Sequence, residues 1–235
     1  MIEVVAPYRE RPARIPGADL WTREAEGGDY RILPDGCMDL LLMHDDLYVA
    51  GPDSHAWMGN AERGTRYAGI RFAPGAAPEF LGVPARDLLN QRVRLADLWS
   101  PTRSRKLRDR ILTAEDRAEA LDLGVATLVG DPSDGLVSQV LRSVRAGRLR
   151  KVAGVSRLAA ALGLSERQLH RRCLDAFGYG PKLLDRVLWM NVALDQARTG
   201  LALADVAVRT GYADQAHFTR DVKALTGLPP RILLG

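Results

Sequence analysis

The sequence predicts an α+β protein, with a small β-sheet followed by helices in its N-terminal part and an all-α C-terminal part. Three observations support this prediction. Short apolar segments separated by turn residues occupy the first third of the 235-residue chain. Longer segments with helical periodicity follow them. A pattern within residues 158–230 then recurs at a spacing of 48 or 49 residues, which indicates two copies of one helical unit.

The N-terminal part, residues 1–130, is expected to be a domain of its own. Its strands are predicted at residues 30–33, 37–43, 47–50 and 66–72, where short apolar runs are bounded by Pro, Gly and Asp. Its helices are predicted at residues 76–81, 85–89, 103–112 and 115–129. A sheet followed in sequence by helices is an α+β unit.

Charge separates this region from the rest of the chain. Residues 131–136 are predicted to be a linker, because the run Gly-Asp-Pro-Ser-Asp-Gly at 130–135 concentrates turn-forming residues. Residues 136–235 hold 16 Lys and Arg against 7 Asp and Glu, whereas residues 1–135 hold 17 against 22. A basic domain, assigned to residues 137–235, suits the phosphate backbone of DNA because it displaces condensed counterions.

The first half of the repeat has the pattern of a helix-turn-helix. A short helix predicted at residues 156–162 ends at Gly163, and Ser165 with Gln168 forms the capping-box pattern that begins the next helix. Apolar side chains at positions i, i+4 and i+7 define its buried stripe: Leu169, Cys173 and Ala176. Its other face carries side chains that can contact bases or phosphates. These candidate DNA-binding residues are Arg167, Gln168, His170, Arg171 and Arg172. A solvated surface helix is the alternative interpretation of this stretch taken alone.

The second half repeats these features 49 residues later, with Asp214 in place of Ser165 and Phe218 in place of Leu169. Its candidate DNA-binding residues are Gln215, Ala216, Thr219, Arg220 and Lys223. Residues 182–199 lack Gly and Pro and are predicted to form one helix about 27 Å long. Successive major grooves on one face of DNA lie about 34 Å apart, so this helix could place both units in adjacent grooves.

Residues from about 137 to 235 resemble the AraC/XylS family of bacterial transcription regulators. The residues that carry the resemblance are Gly163, Ser165, Leu169 and Arg171 in the first unit, and Gly211, Tyr212, Asp214, His217, Phe218 and Arg220 in the second. The sequence departs from the family pattern at Cys173 and Val222, where Phe is usual, at Leu184 and Leu233, where Tyr is common, and at Trp189, where Arg is common. The resemblance implies two helix-turn-helix units joined by a long helix, double-stranded promoter or operator DNA as partner, and RNA polymerase as a further candidate partner.

The N-terminal region resembles an uncharacterised domain attached to one subgroup of these regulators. The matching segments are residues 33–40, the Gly-Pro pair at 51–52, residues 69–77 and residues 80–84. The resemblance implies that the domain senses an unidentified effector or mediates homodimer formation. Candidate effector-binding residues are Trp57, Tyr67 and Arg71, for which packing in the core is the alternative.

No catalytic pattern occurs in the sequence, so the chain is expected not to be an enzyme and to need no cofactor. The spacings of Cys37, His44 and His55 match no metal signature, and Cys37 is expected to pack in a strand rather than act as a redox sensor. No apolar run reaches the length of a membrane span and no signal-peptide core is present, so a cytoplasmic location is expected. The predicted function is sequence-specific transcription regulation; the alternative is an architectural DNA-binding protein without an effector.

Overall fold

A computed structural model of the chain describes residues 8–128 and 135–235. The described residues form two large hydrophobic cores, one between a β-sheet and helices and one among helices, and a small third cluster. The predicted α+β class, with an all-α C-terminal part, is confirmed. Of the linker predicted at 131–136, the first four residues lie outside the described residues and the last two begin a helix.

The N-terminal domain contains more sheet than the sequence predicts. Its described strands are β1 (Arg9–Pro12), β2 (Ala18–Glu24), β3 (Gly28–Ile32), β4 (Met38–Met43), β5 (Asp46–Ala50), β6 (Trp57–Ala61), β7 (Arg66–Phe72) and β8 (Arg92–Arg94). Six of them form an antiparallel sheet in the order β1-β2-β7-β4-β5-β8, while β3 pairs with β6 in a second sheet. Four predicted strands are confirmed as β3, β4, β5 and β7, and the other four were not predicted from the sequence.

The strand β4 shows how the large sheet divides its two faces. Met38, Leu40 and Leu42 are buried on the face that packs against helices, whereas Asp39 and Leu41 point to the other face. That other face is covered in part by the β3–β6 pair through a small apolar cluster. The sheet therefore has helices on one side and a two-stranded sheet on the other.

Short helices cover the first face of the sheet. They are α1 (Ala77–Leu81), a 3-10 helix (Ala85–Leu88), α2 (Leu95–Leu98), α3 (Pro101–Leu112) and α4 (Arg117–Ala126). The side chains of Ser100 and Asp116 accept hydrogen bonds from backbone N–H groups at the starts of α3 and α4, which satisfies donors that a helix leaves open. The four predicted helical segments are confirmed within the described residues, although the second is a 3-10 helix; residue 129 of the fourth lies outside them.

The C-terminal domain consists of seven described helices. They are α5 (Gly135–Arg145), α6 (Gly154–Ala161), α7 (Glu166–Phe177), α8 (Pro181–Arg198), α9 (Leu203–Arg209), α10 (Gln215–Thr226) and α11 (Pro230–Leu234). The bounds of α7 and α10 differ by 49 residues at both ends, as the repeat predicts. Each ends at a glycine in the left-handed region, Gly178 at φ 81° and Gly227 at φ 78°. Among the described helices, none combines the length and apolarity needed to cross a bilayer.

The N-terminal domain contacts the first helix-turn-helix unit and the long helix α8. Arg86, in the 3-10 helix, forms an ion pair with Asp175 in the last turns of α7. On α8, the side-chain amide of Asn191 donates a hydrogen bond of 2.7 Å to the carbonyl of Pro34. Both contacts lie away from the first turn of α7.

A third contact reaches the second unit at the C-terminal end of α10. The backbone N–H of Ala56 donates to the carbonyl of Leu225 at 2.8 Å, and the guanidinium of Arg31 donates to the carbonyl of Thr226 at 2.5 Å. Carbonyls in the last turn of a helix lack partners within it, so these donors satisfy groups that would otherwise need water. The N-terminal domain thus holds the C-terminal ends of both α7 and α10.

Candidate nucleic-acid interface

The helix α7 begins at a capping box and buries one apolar stripe. The hydroxyl of Ser165 accepts a hydrogen bond from the N–H of Gln168 at 3.2 Å, and the side-chain oxygen of Gln168 accepts one from the N–H of Ser165 at 2.8 Å. Leu169 and Cys173 are fully buried, and Ala176 is 9% exposed. Burial raises the pKa of the Cys173 thiol to about 12, so this residue stays neutral and packs as a small apolar side chain.

The opposite face of α7 is exposed and basic. Its exposed side chains are those predicted: Arg167, Gln168, His170, Arg171 and Arg172. Arg167 and Arg171 lie one turn apart on the same side of the helix. Within the described part of the chain neither one forms an ion pair, so both guanidinium groups can donate to an incoming ligand.

Two of these residues have constraints that the sequence did not show. The side-chain oxygen of Gln168 belongs to the capping box, which leaves its amide N–H groups as the donors available to DNA. Arg172 lies beside Asp175 on a concave surface that also includes Pro78 and Glu79 of α1. Arg172 therefore faces the N-terminal domain more than Arg167 does.

The helix α10 presents fewer donors than α7. Asp214 caps it by accepting a hydrogen bond of 2.6 Å from the N–H of His217. Its buried side chains include Phe218, Val222 and Leu225. Among its predicted DNA-binding residues, Ala216, Arg220 and Lys223 are exposed, and Gln215 and Thr219 are half-buried. Arg220 is consequently the strongest base-contacting candidate on this helix.

Arg150, which lies between α5 and α6, contacts both α8 and the turn after α9, and it was not singled out from the sequence. Its Nε lies 3.4 Å from Oδ2 of Asp185 on α8, and its Nη1 donates to the carbonyl of Thr210. The guanidinium also lies 5.1 Å from the ring centroid of Trp189 and 4.7 Å from that of Tyr212. Burial raises the pKa of Asp185, and the charge of Arg150 opposes that effect. Trp189, which stands where the resemblance leads one to expect Arg, therefore packs against the guanidinium of Arg150.

In the N-terminal domain, Tyr67 and Arg71 are four residues apart in β7. Because alternate residues of a strand share a face, their side chains point to the same side of the sheet. The guanidinium of Arg71 is surrounded by carboxylates: its Nε lies 3.5 Å from Asp39 and 3.8 Å from Asp35, and its Nη1 lies 3.6 Å from Glu10. Burial raises the pKa of Asp39 to about 6 despite the opposing charge of Arg71. An anionic effector would have to displace these carboxylates from Arg71.

Trp57, the third candidate effector residue, has a different partner. Its ring lies 4.4 Å from the guanidinium of Arg92, which forms two hydrogen bonds with the buried carboxylate of Asp53. Cys37 directly precedes β4, and burial, followed by the nearby charge of Asp35, raises the pKa of its thiol. Within the described ranges no group of three His, Cys, Asp or Glu side chains is arranged to hold a metal ion.

Comparisons with known proteins identify a domain in each half of the chain. A family model described as a helix-turn-helix domain matches residues 158–234. A second model, described as a domain of unknown function (DUF6597), matches residues 18–94. No curated protein matches the chain.

Solved structures of ToxT from Vibrio cholerae are similar to the whole chain. An apo ToxT variant from strain SCE256 has a TM-score of 0.48 and 9% identity, covering 95% of this chain and 98% of that one. Wild-type ToxT from the same strain, bound to an unsaturated fatty acid, has a TM-score of 0.46 and 10% identity, covering 96% of both chains.

Proposed function

We propose that this chain, a DNA-binding transcription regulator that carries an AraC-type helix-turn-helix domain, inserts α7 and α10 into two successive major grooves. The supporting observation is the structural repeat: two 12-residue helices with equivalent caps, joined by the 18-residue helix α8. An 18-residue helix is about 27 Å long, which is comparable to the roughly 34 Å between grooves on one face of DNA.

The two helices contribute differently to specificity. Arg167 and Arg171 contact bases from α7, since a guanidinium can donate two hydrogen bonds to guanine O6 and N7. Arg220 is the corresponding donor on α10, next to Ala216, which can contact only a thymine methyl group. Lys223, two turns from the start of α10, contacts phosphate. The first half-site is therefore recognised more stringently than the second.

The N-terminal domain controls when the protein binds rather than which sequence it binds. Its contacts with the C-terminal domain, through Arg86, Ala56 and Arg31, are at the C-terminal ends of α7 and α10. The exposed first turns of those helices remain available to DNA. A small-molecule effector, bound near the face of β7 that carries Tyr67 and Arg71, would act by changing how the N-terminal domain holds these helices.

Selection of bound duplexes from a random DNA pool tests groove recognition by the full-length protein. The expected product is a bipartite motif whose two parts lie about 10 base pairs apart, with the stronger part contacted by α7. Inserting 5 base pairs between the parts turns the second groove to the opposite face of the duplex. Affinity should then fall to that of the first part alone. Recovery of sequences without a motif would instead support the architectural alternative.

Binding isotherms for three variants test the assigned side chains. Replacing Arg167 or Arg171 by alanine should cost about 1 to 3 kcal/mol and relax the preference at one base position each. Replacing Lys223 by alanine should weaken binding to all sequences alike and lower the slope of the salt dependence by about one unit. Equal, sequence-independent losses in all three variants would show that α7 only contacts the backbone.

A further inference from the structure

A basic cleft of about 390 Å³ lies between α5 and α6, next to the first recognition helix. Four cationic side chains line it: Arg142, Arg148, Lys151 and Arg157. All four are exposed, and within the described residues none of them forms an ion pair. Among the residues that the structure describes, no acidic one lines the cleft. Four cations around one cavity repel each other unless an anion lies between them, so the cleft is suited to a multiply coordinated anion.

The shape of the cleft is fixed by close backbone packing. The N–H of Arg148 donates to the carbonyl of Ser143 at 3.0 Å, and the N–H of Gly154 donates to the carbonyl of Lys151 at 2.9 Å. A Cβ atom on Gly154 would lie 2.4 Å from the carbonyl oxygen of Arg148, so only glycine lets this loop lie directly on the start of α6. The cations of the loop are therefore held against those of the helices. Ser143, only 4% exposed, lines the cleft as well.

The position of the cleft relates it to DNA. The hydroxyl of Ser156 on α6 donates to the carboxylate of Glu166, the first residue of α7. The first turns of α6 and α7 therefore lie side by side. In a helix-turn-helix the second helix enters the major groove with its N-terminal residues, while the first helix crosses the sugar-phosphate backbone. The backbone beside the first groove must then pass the N-terminal half of α6, where Arg157 is located.

We infer that this cleft binds a backbone phosphate of DNA outside the bases that α7 contacts, on the outer flank of the first half-site. The inference rests on the proposed function and extends the DNA footprint by a segment that makes no base contact. Arg148 and Lys151 supply charge from the loop, and Arg142 and Arg157 supply it from the two helices. Such contacts increase affinity for every sequence and fix the position of the protein along the duplex.

The test combines a protein change with a DNA change. The double variant Arg148→Gln/Lys151→Gln is compared with Arg105→Gln/Lys106→Gln, which removes two exposed cations from α3 in the other domain. Each full-length protein is titrated with a duplex carrying long flanks, with one trimmed on the outer side of the first half-site, and with one trimmed on the other side. Thermal unfolding of each variant confirms that it is folded.

The wild type should bind about tenfold less tightly when the first flank is trimmed, and should be unaffected by trimming the other flank. The Arg148→Gln/Lys151→Gln variant should bind the long duplex about tenfold less tightly and show no further loss on trimming. Its salt dependence should be shallower by about one unit, because the slope changes by roughly 0.9 for one lost phosphate contact. The α3 control variant should behave as the wild type does.

Two results overturn the inference in different ways. In the first, the wild type binds its selected site, trimming either flank leaves its affinity unchanged, and the cleft variant binds as tightly as the α3 control variant. The cleft then does not contact DNA, and the proposed function stands. If the wild type shows no salt-dependent DNA binding, the proposed function fails together with the inference. A further measurement is thermal unfolding in the presence of inorganic phosphate. If phosphate raises the unfolding temperature of the wild type but not of the cleft variant, and trimming the flanks has no effect, the cleft binds a free phosphate-bearing molecule. The DNA backbone is then excluded as its ligand.

Discussion

Replacing Arg150 by methionine should destabilise the C-terminal domain strongly, because this guanidinium joins three parts of the fold. Methionine keeps the length of the side chain and removes the charge and the donors. The substitution leaves the carboxylate of Asp185, whose side chain is 8% exposed, without its partner, and removes a hydrogen bond to Thr210. Breaking a buried pair costs about 3 to 5 kcal/mol. Since 20% of the Arg150 side chain is exposed, we expect a loss of about 2 to 4 kcal/mol in the free energy of unfolding.

The loss should depend on pH in a defined direction. Burial raises the pKa of Asp185 above its ordinary value of 3.8, and Arg150 opposes this, so removing Arg150 raises the pKa of Asp185 further. A carboxyl group whose pKa is higher in the folded state than in the unfolded state favours folding only when it is protonated. Stability is lost as the pH rises from the unfolded pKa through the folded pKa. The defect of Arg150→Met should therefore be smaller near pH 4.5 than near pH 7.5.

Urea unfolding at the two pH values measures both effects. The matched control is Arg198→Met, which removes an ion pair with Asp195 whose side chains are 54% and 71% exposed. An exposed pair of this kind contributes at most about 0.5 kcal/mol. If Arg150→Met lost no more stability than this control, Arg150 would not join α8 to the turn after α9 as described. A defect of equal size at both pH values would show that packing, rather than the charge of Asp185, causes the loss.

Three further predictions concern the caps and the domain contacts. Replacing Ser165 or Asp214 by alanine should lower the free energy of unfolding by about 1 kcal/mol each, and unchanged urea midpoints would contradict the capping roles. Gly178→Ala should destabilise the protein more than Gly163→Ala. Both positions have a positive φ, but only at Gly178 would a Cβ meet another side chain, Cγ of Pro52 at 2.5 Å. Equal losses of stability in thermal unfolding would show that this steric contact contributes nothing. Deleting the N-terminal domain should leave the selected DNA motif unchanged while altering affinity, and a shifted motif would contradict its assignment to control.

The C-terminal domain could be predicted in detail because its signals are local and occur twice. Ser165 and Asp214 are the N-caps of α7 and α10, and Gly178 and Gly227 end these two helices. Each signal acts within one turn of helix, so it can be recognised without knowledge of the fold. The cap residues of α10 follow those of α7 at the 49-residue spacing of the repeat, so the second helix could be located from the first. The exposed face of α7 follows directly from the buried position of Leu169.

The N-terminal sheet was predicted incompletely for physical reasons that differ from strand to strand. All four residues of β1 are exposed, so no alternation of apolar and polar side chains marks it. The strand β6 contains Gly59, which in sequence indicates a turn. In the structure the ring of Tyr30 covers this glycine, and a Cβ would lie 2.4 Å from Cζ of that ring. The glycine is required by a contact with a distant residue.

Arg150 was missed because none of its partners is near it in sequence. Asp185, Thr210, Trp189 and Tyr212 lie 35 to 62 residues away, and only the folded chain brings them together. The same holds for the domain contacts, which join an arginine to a carboxylate and backbone carbonyls to donors on another domain. Pairs of this type leave no periodic pattern in the sequence, so they become visible only in three dimensions.

The contacts between the N-terminal and C-terminal domains limit the kind of signal that can pass between them. Arg86 acts on α7, Pro34 on α8 and Ala56 on α10, so the points of attachment span both DNA-binding units. A rigid body fixed at three separated points cannot tilt slightly while keeping all of them. Packed interfaces of this kind change between discrete arrangements rather than deforming continuously. We therefore expect a response transmitted through this interface to begin with the release of a whole contact, and thus to show a threshold rather than a graded adjustment.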